Sequence, residues 1–330
     1  MEAFLSSRPR FEQTVRTSGS AGVGLLEAVG GTPLLELARI GADVPGLRLL
    51  AKAEHMNPCG SVKDRPVRAM LLAGLASGKL TAGKTILEAT SGNTGIADAM
   101  LGRALGFPVT LFLPSSASPE RQAILRACGA EIVLTDPLEG TDGAIREARR
   151  AAREDSKFFY PDQYSNPANW RSHFDTTGPE IWNETGGRLT HFVAGLGTSG
   201  TFVGVSRFLK ARSRSISIRC VSVEPEGPLH GLEGLKHMES AMVPSIYDAT
   251  LADERIALPT EEAWAMCRRL AREEGVFVGP SSGANVAAAL RVARGVAGAA
   301  GRKPDRPIVI VTVLCDRGER YLSEDFWRQA

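Results

Sequence analysis

HFVAGLGTSGTFVGVSRFLKA (191–211) decides the fold. A short apolar run with β-leaning residues enters a loop of glycines and hydroxyls. TFVGVSRFLKA (201–211) then follows with its apolar side chains at helical spacing. A strand that turns through glycines straight into a helix is half of a crossover unit, and crossover units build parallel sheets. The rhythm continues on both sides. Downstream, IRCVSVEP (218–225) reads as a strand and EEAWAMCRRLAREEG (261–275) as an amphipathic helix with Gly275 as its cap. NVAAALRVARGV (285–296) is a helix and PIVIVTVLC (307–315) a buried strand. Upstream, strands LRLLAKAE (47–54), TILEA (85–89), PVTLFLP (108–114) and EIVLT (131–135) alternate with helices at VRAMLLAGLASG (67–78), Thr94 to Leu105 and PERQAILRACGA (119–130). The polar, aromatic segment FFYPDQYSNPANW (158–170) divides the pattern. The expected architecture is α/β with two lobes, each a mostly parallel twisted sheet covered by helices. No period of solenoid length recurs.

Bulk composition agrees. With 330 residues, 43% apolar and 23% charged, the chain is ordinary globular protein, long enough for one large or two moderate domains. Its 39 basic and 37 acidic residues nearly balance, which leaves no electrostatic footprint for nucleic acid or a membrane surface. Arg146, Arg149, Arg150 and Arg153 read as a solvated helix face. Five scattered cysteines (Cys59, Cys128, Cys220, Cys267, Cys315) form no CxxC pair. That argues against a zinc site or a disulfide framework and for a reducing compartment. The start, MEAFLSSRPRFEQTVRT, has no apolar signal core, and no run is long enough to span a bilayer. A cytoplasmic protein is expected, with residues 1–22 as a loose arm or interface strap.

Ligands of parallel sheets bind beyond the carboxyl ends of the strands, and four loops fall there. NPCGSVKDRP (57–66) places Lys63 after a Gly-Ser turn at a helix entrance, where burial and the helix dipole would lower an amine's pKa; lysine is the residue that forms Schiff bases. EATSGNTG (88–95) gathers Thr90, Ser91, Asn93 and Thr94 before a helix, more capping groups than one N-terminus uses, and suits a carboxylate or phosphate. GLGTSGT (195–201) matches GxGxxG through Gly195, Gly197 and Gly200, and Glu224 stands where a ribose-binding acid might. A nicotinamide oxidoreductase is therefore a rival on this loop alone. Its added hydroxyls at Thr198, Ser199 and Thr201 favour a terminal phosphate. GPSSGAN (279–285) sets Ser281 and Ser282 at a further helix start.

Together these loops resemble the cysteine synthases of the fold-type-II pyridoxal-phosphate family, whose fold is tryptophan-synthase-β-like. The resemblance runs from GGTPLLEL (30–37) to GERYLS (318–323) and takes in NPxGSVKDR, EATSGNTGIA, SNPAN (165–169), TTGPEIW (176–182), GLGTSGT, EEG (273–275) and SSGA (281–284). CDRG and TGGRLTHFV (185–193) look closer to the B-type than to the A-type enzymes. The resemblance implies pyridoxal 5'-phosphate held as a Schiff base by Lys63, which then serves as base and acid at the substrate's α-carbon. It implies that Gly197, Thr198, Ser199, Gly200 and Thr201 hold the phosphate, Asn93 the ring hydroxyl, and Ser281 the pyridine nitrogen. Thr90, Ser91, Thr94 and Gln163 would hold the substrate carboxylate. A neutral serine at the pyridine nitrogen makes a shallower electron sink than an aspartate, which favours loss of a β-substituent and its replacement by a nucleophile.

The implied reaction is β-replacement of O-acetyl-L-serine or O-phospho-L-serine by sulfide or thiosulfate. A related lyase is the alternative: serine/threonine dehydratase, cystathionine β-synthase or cysteine desulfhydrase. The implied lobes are residues 57–167, small and mobile, and residues 1–56 with 168–330, carrying the phosphate loop. A homodimer and a partner serine acetyltransferase are also implied; no metal is. Gly31, Ser199 and Pro280 depart from the family pattern without removing a catalytic group. In GPLHGLEGLKHM (227–238), Lys236 and His237 read equally as an anion site or a solvated face. Cys315 reads as a satisfied buried thiol.

Overall fold

The computed structural model describes residues 23–90, 92–212, 218–300 and 307–328. The arm expected at residues 1–22 and the candidate Ser91 lie outside the described residues. In chain order the first elements are β1 (Leu34–Glu36), β2 (Leu47–Lys52), α1 (Asp64–Ala76), β3 (Thr85–Ala89), α2 (Asn93–Ala104), β4 (Val109–Pro114), α3 (Pro119–Ala127), β5 (Glu131–Thr135), α4 (Gly140–Glu154) and β6 (Phe158–Phe159). Then come α5 (Pro167–Ser172), α6 (Gly178–Glu184), β7 (His191–Gly195), α7 (Gly200–Arg212), β8 (Arg219–Pro225), β9 (Glu254–Leu258), α8 (Thr260–Arg269), α9 (Pro280–Ala300) and β10 (Ile308–Val313).

Two sheets result. One has six strands in the order β1-β2-β10-β7-β8-β9, the other four in the order β5-β4-β3-β6. Every pairing is parallel except β1 on β2. The apolar run of β10 has a direct cause: it lies between β2 and β7 with all its residues buried. Val309, Val311 and Val313 pack with Phe192, Phe202 and Phe208 on one face. Ile308 and Ile310 pack with Ala287, Leu290 and Ala293 of α9 on the other. With both faces covered, apolar side chains are favoured along the whole strand.

Three strands escape the sequence reading. β1 is three residues long and lies antiparallel on an edge; β6 is two residues; β9, at the other edge, exposes Glu254 and Arg255. The helix expected at 261–275 ends as α8 at Arg269, continues as a π turn over Leu270–Glu274, and stops at Gly275 with φ 68°. Helix α7 packs so closely on α5 and the turn after it that a Cβ on Gly204 would overlap the Trp170 carbonyl.

The start of α1 is tied to the large sheet by buried charges. Arg65 Nε and Nη2 donate to Glu54 at 2.7 and 2.8 Å, and its Nη1 and Nη2 donate to Glu180 at 2.7 Å each. Lys52, fully buried, meets Glu180 and Glu184 at 2.9 Å each. Such a network costs much to break, since removing one partner strands the other's charge. All five cysteines are free, with Cys59, Cys220 and Cys267 buried. No described helix is long and apolar enough to cross a membrane.

Candidate active site

The four loops converge. A cleft of about 620 Å³ is lined by Lys63, Thr90, Asn93, Thr94, Gln163 and Thr198, among others. Lys63 and Asn93 also line an inner chamber of about 40 Å³, with Ser199, Thr201, Ser281 and Cys315 on its walls. The topology explains the meeting. Thr90 leaves the end of β3, GLGTSGT leaves the end of β7, and Cys315 leaves the end of β10, each at the carboxyl end of a strand in a parallel pairing.

Lys63 occupies the N-cap position of α1. Removal from water depresses its amine below the usual range, with Cys315, Asp316 and Asp64 opposing. Asp64 holds the turn by accepting from Cys59 N at 2.6 Å and Ser61 Oγ at 3.3 Å, and burial pushes its carboxyl up to about 6 despite those bonds.

The carboxylate-binding candidates hold one another. Thr94 Oγ1 donates to Gln163 Oε1 at 2.7 Å, Gln163 Nε2 donates to Ala89 O at 3.0 Å, and Thr90 Oγ1 accepts from Gly92 N at 3.0 Å. Asn93 is clamped at both ends of its amide. Its Nδ2 donates to Asp316 Oδ2 at 2.6 Å, and Arg320 donates to its Oδ1. Tyr321 donates to the same Asp316 oxygen at 2.5 Å.

In the glycine loop, Ser199 takes φ 68°, a conformation that turns successive N–H groups toward one point. Among the described residues its hydroxyl has no partner, and the residue is only 2% exposed. The loop ends in the N-terminus of α7, where peptide dipoles favour an anion. A buried, unpaired hydroxyl beside an amide nest fits a phosphate monoester, and a lysine amine in the adjoining chamber fits an aldehyde carried by the same molecule.

The residues left open at the sequence level also find places. Lys236 lines the cleft but pairs with Asp142 Oδ1 at 2.7 Å. His237 Nδ1 lies 2.8 Å from Ser240 Oγ. Cys315 Sγ lies 3.4 Å from Asn285 Nδ2, and burial first, then Asp316, raises its thiol to about 11. Glu224 accepts from Met238 N at 3.1 Å. Arg146 and Arg150 pair with Glu139, Glu147 and Glu154 on an exposed face of α4.

Sequence reading missed Arg121, which lines the cleft, pairs with Glu233, and lies 4.7 Å from the centre of the Tyr321 ring. It also missed Asp316, Arg320, Asn169 and His173. These act through other side chains, and only the resemblance motifs SNPAN and CDRGERYLS marked their neighbourhood.

This fold and this site define an enzyme class, and the chain belongs to it: residues 25–316 match the family described as pyridoxal-phosphate dependent enzyme. Within that class it is similar to a cysteine synthase of Aquifex aeolicus, 49% identical over 302 residues that cover 91% of this chain and 90% of the relative. Cysteine synthase B of Salmonella typhimurium is 42% identical over 91% of this chain and 94% of its own. The crystal structure of an Entamoeba histolytica cysteine synthase superposes with a TM-score of 0.85 at 36% identity, covering 97% of this chain and 95% of that one.

Proposed function

We propose that this protein is a cysteine synthase that replaces the β-substituent of an activated L-serine with a sulfur nucleophile, using pyridoxal 5'-phosphate. The observation that carries the reading is the meeting of the Lys63 amine, the glycine-hydroxyl loop and the Thr90–Thr94–Gln163 cluster in one cleft. When bound, pyridoxal phosphate supplies an electron sink conjugated to the substrate's nitrogen.

The chain's own residues do the rest. Gly197, Thr198, Ser199, Gly200 and Thr201 hold the phosphate. Asn93 presents an N–H to the ring oxygen, since its carbonyl oxygen is already taken by Arg320. Ser281, 5% exposed at the start of α9, faces the pyridine nitrogen as a neutral partner. Thr90, Thr94, Gln163 and Ser91 grip the substrate carboxylate. Lys63 holds the cofactor covalently, then takes and returns the proton at the substrate's α-carbon. Burial lowers the basicity of this amine, the direction that favours the neutral form a proton acceptor needs.

The cleft's charges favour O-acetyl-L-serine over O-phospho-L-serine. Lys236 and Arg121 are already neutralised by Asp142 and Glu233, so a dianionic leaving group would have to displace a carboxylate to gain a cation. Sulfide or thiosulfate is the sulfur nucleophile of this reading.

We also propose residues 57–167 as a mobile lobe, a homodimer, a cytoplasmic setting consistent with unpaired cysteines, and a serine acetyltransferase as supplier of the donor. The absorbance spectrum tests the central reading. The purified protein should be yellow, change band on addition of O-acetyl-L-serine, hold its band with O-phospho-L-serine, and revert on addition of sulfide. A response to O-phospho-L-serine alone would overturn the charge argument, and a protein that cannot be loaded with pyridoxal phosphate would overturn the whole reading.

A further inference from the structure

The last residue of the motif SNPAN touches both halves of the site. Asn169 is 1% exposed, and its Nδ2 donates to Gln163 O at 2.7 Å and to Thr198 Oγ1 at 3.1 Å. A backbone carbonyl only accepts, so the first bond fixes which end of the carboxamide is nitrogen. Thr198 Oγ1 therefore accepts from Asn169, and its own hydrogen is free to face the cleft that the residue lines. Gly200 is glycine for the same reason: a Cβ there would overlap Asn169 Oδ1.

One turn further on, His173 is also 1% exposed. Its Nδ1 lies 2.9 Å from Thr177 Oγ1 and its Nε2 lies 3.2 Å from Thr201 Oγ1. Burial first, then Arg65 and Lys63, hold the imidazole well below its usual range, so it carries one ring hydrogen. Two directions of donation along Thr177–His173–Thr201 are then self-consistent. A phosphate in the cradle leaves one. Phosphate accepts, Thr201 donates to it, His173 Nε2–H donates to Thr201, and Thr177 donates to the bare Nδ1.

We propose that Asn169 and His173 are positioning residues that hold the hydroxyls of Thr198 and Thr201 as donors facing the cofactor phosphate, and that Asn169 ties this cradle to Gln163 in the carboxylate grip. The buried Ser199 hydroxyl beside them, without a partner among the described residues, points independently to a ligand at this place. The inference rests on reading the glycine loop as a pyridoxal-phosphate cradle.

The test measures dissociation constants of the cofactor-stripped protein for pyridoxal phosphate and for pyridoxal, which lacks the phosphate. His173→Leu should bind pyridoxal phosphate about ten-fold more weakly, the worth of one hydrogen bond near a charge, with pyridoxal unchanged. His173→Gln, which can return a donor to the Nε2 position, should stay near wild type. Asn169→Asp keeps the shape but loses both donors; it should weaken pyridoxal phosphate and also raise KM for O-acetyl-L-serine more than it lowers kcat. Thermal melting confirms that each variant is folded. Equal losses in His173→Leu and His173→Gln, or equal losses for the two ligands, would overturn the role of His173. An unchanged KM in Asn169→Asp would overturn the tie to Gln163. A wild-type protein that binds pyridoxal as tightly as pyridoxal phosphate would overturn the cradle itself, and this inference with it.

Discussion

Exchanging Lys63 for alanine removes the one amine shared by the cleft and the inner chamber. Turnover should fall by a factor of about 10³, in the range for loss of a proton-transferring group. Reduction with borohydride, followed by mass measurement, should leave no cofactor on the Lys63→Ala protein. The neighbouring Asp64 makes a thermodynamic prediction. Burial raises its carboxyl from the usual 3.8 to about 6, so the native state holds a proton that the unfolded chain releases. Its contribution is favourable below that window and is lost as pH rises from 3.8 toward 6, a change of about 3 kcal/mol. Asp64→Asn should abolish this slope, since an amide does not titrate and still accepts from Cys59 N. Chemical denaturation of both proteins at a series of pH values checks it; parallel curves would mean that the carboxyl is not perturbed.

At the scale of elements, glycine separates two kinds of helix position. Gly204 on α7 lies against backbone, the carbonyl of Trp170, which cannot rotate away. Gly204→Ala should cost several kcal/mol or prevent folding, in the manner of other overpacked sites. Gly295, on a turn of α9, meets nothing within 4 Å of an added Cβ. Gly295→Ala should raise stability by about 0.5–1 kcal/mol, the helix propensity difference. Melting curves distinguish the two, and equal effects would refute the packing argument. The same contrast governs how much of the fold is legible in the sequence. β10, β7 and the helices over them are legible because burial on both faces or one face imposes a period on the residues. β9 is not, since an edge strand with ERIAL keeps polar residues outside and resembles a loop. In the site, the residues that would touch a ligand sit in loops richer in glycine and hydroxyls than a plain helix cap requires, so Lys63, Asn93 and the 197–201 loop stand out. Asn169, His173 and Asp316 act on those residues through tertiary contacts that no local spacing encodes.

For the whole molecule, the two sheets share one cleft, and side chains bridge it. Asn93, Ser118 and Arg121 come from the side of the four-stranded sheet; Asp316, Arg320 and Glu233 answer from the other. Leu138 and Leu229 stand 94% and 98% exposed, the first lining the cleft and the second beside the lining residues Pro228 and His230. Closure of the 57–167 lobe over a substrate would take such surface out of water, at about 25 cal/mol for each Å² of apolar area. Small-angle scattering should show a smaller radius of gyration when a non-reactive carboxylate analogue of the substrate is bound. An unchanged curve at saturation would count against the moving lobe.

The placement of the five cysteines has a chemical consequence. Burial raises every one of these thiols, Cys315 to about 11 and Cys267 to about 12, with Cys59, Cys128 and Cys220 also raised. Nucleophilic attack on a disulfide or a persulfide requires thiolate, and burial disfavours that form at each of the five. A protein that works with a sulfur nucleophile and releases a thiol thus exchanges slowly with oxidised sulfur species, and Cys128, the least enclosed of the five, is where such exchange would begin.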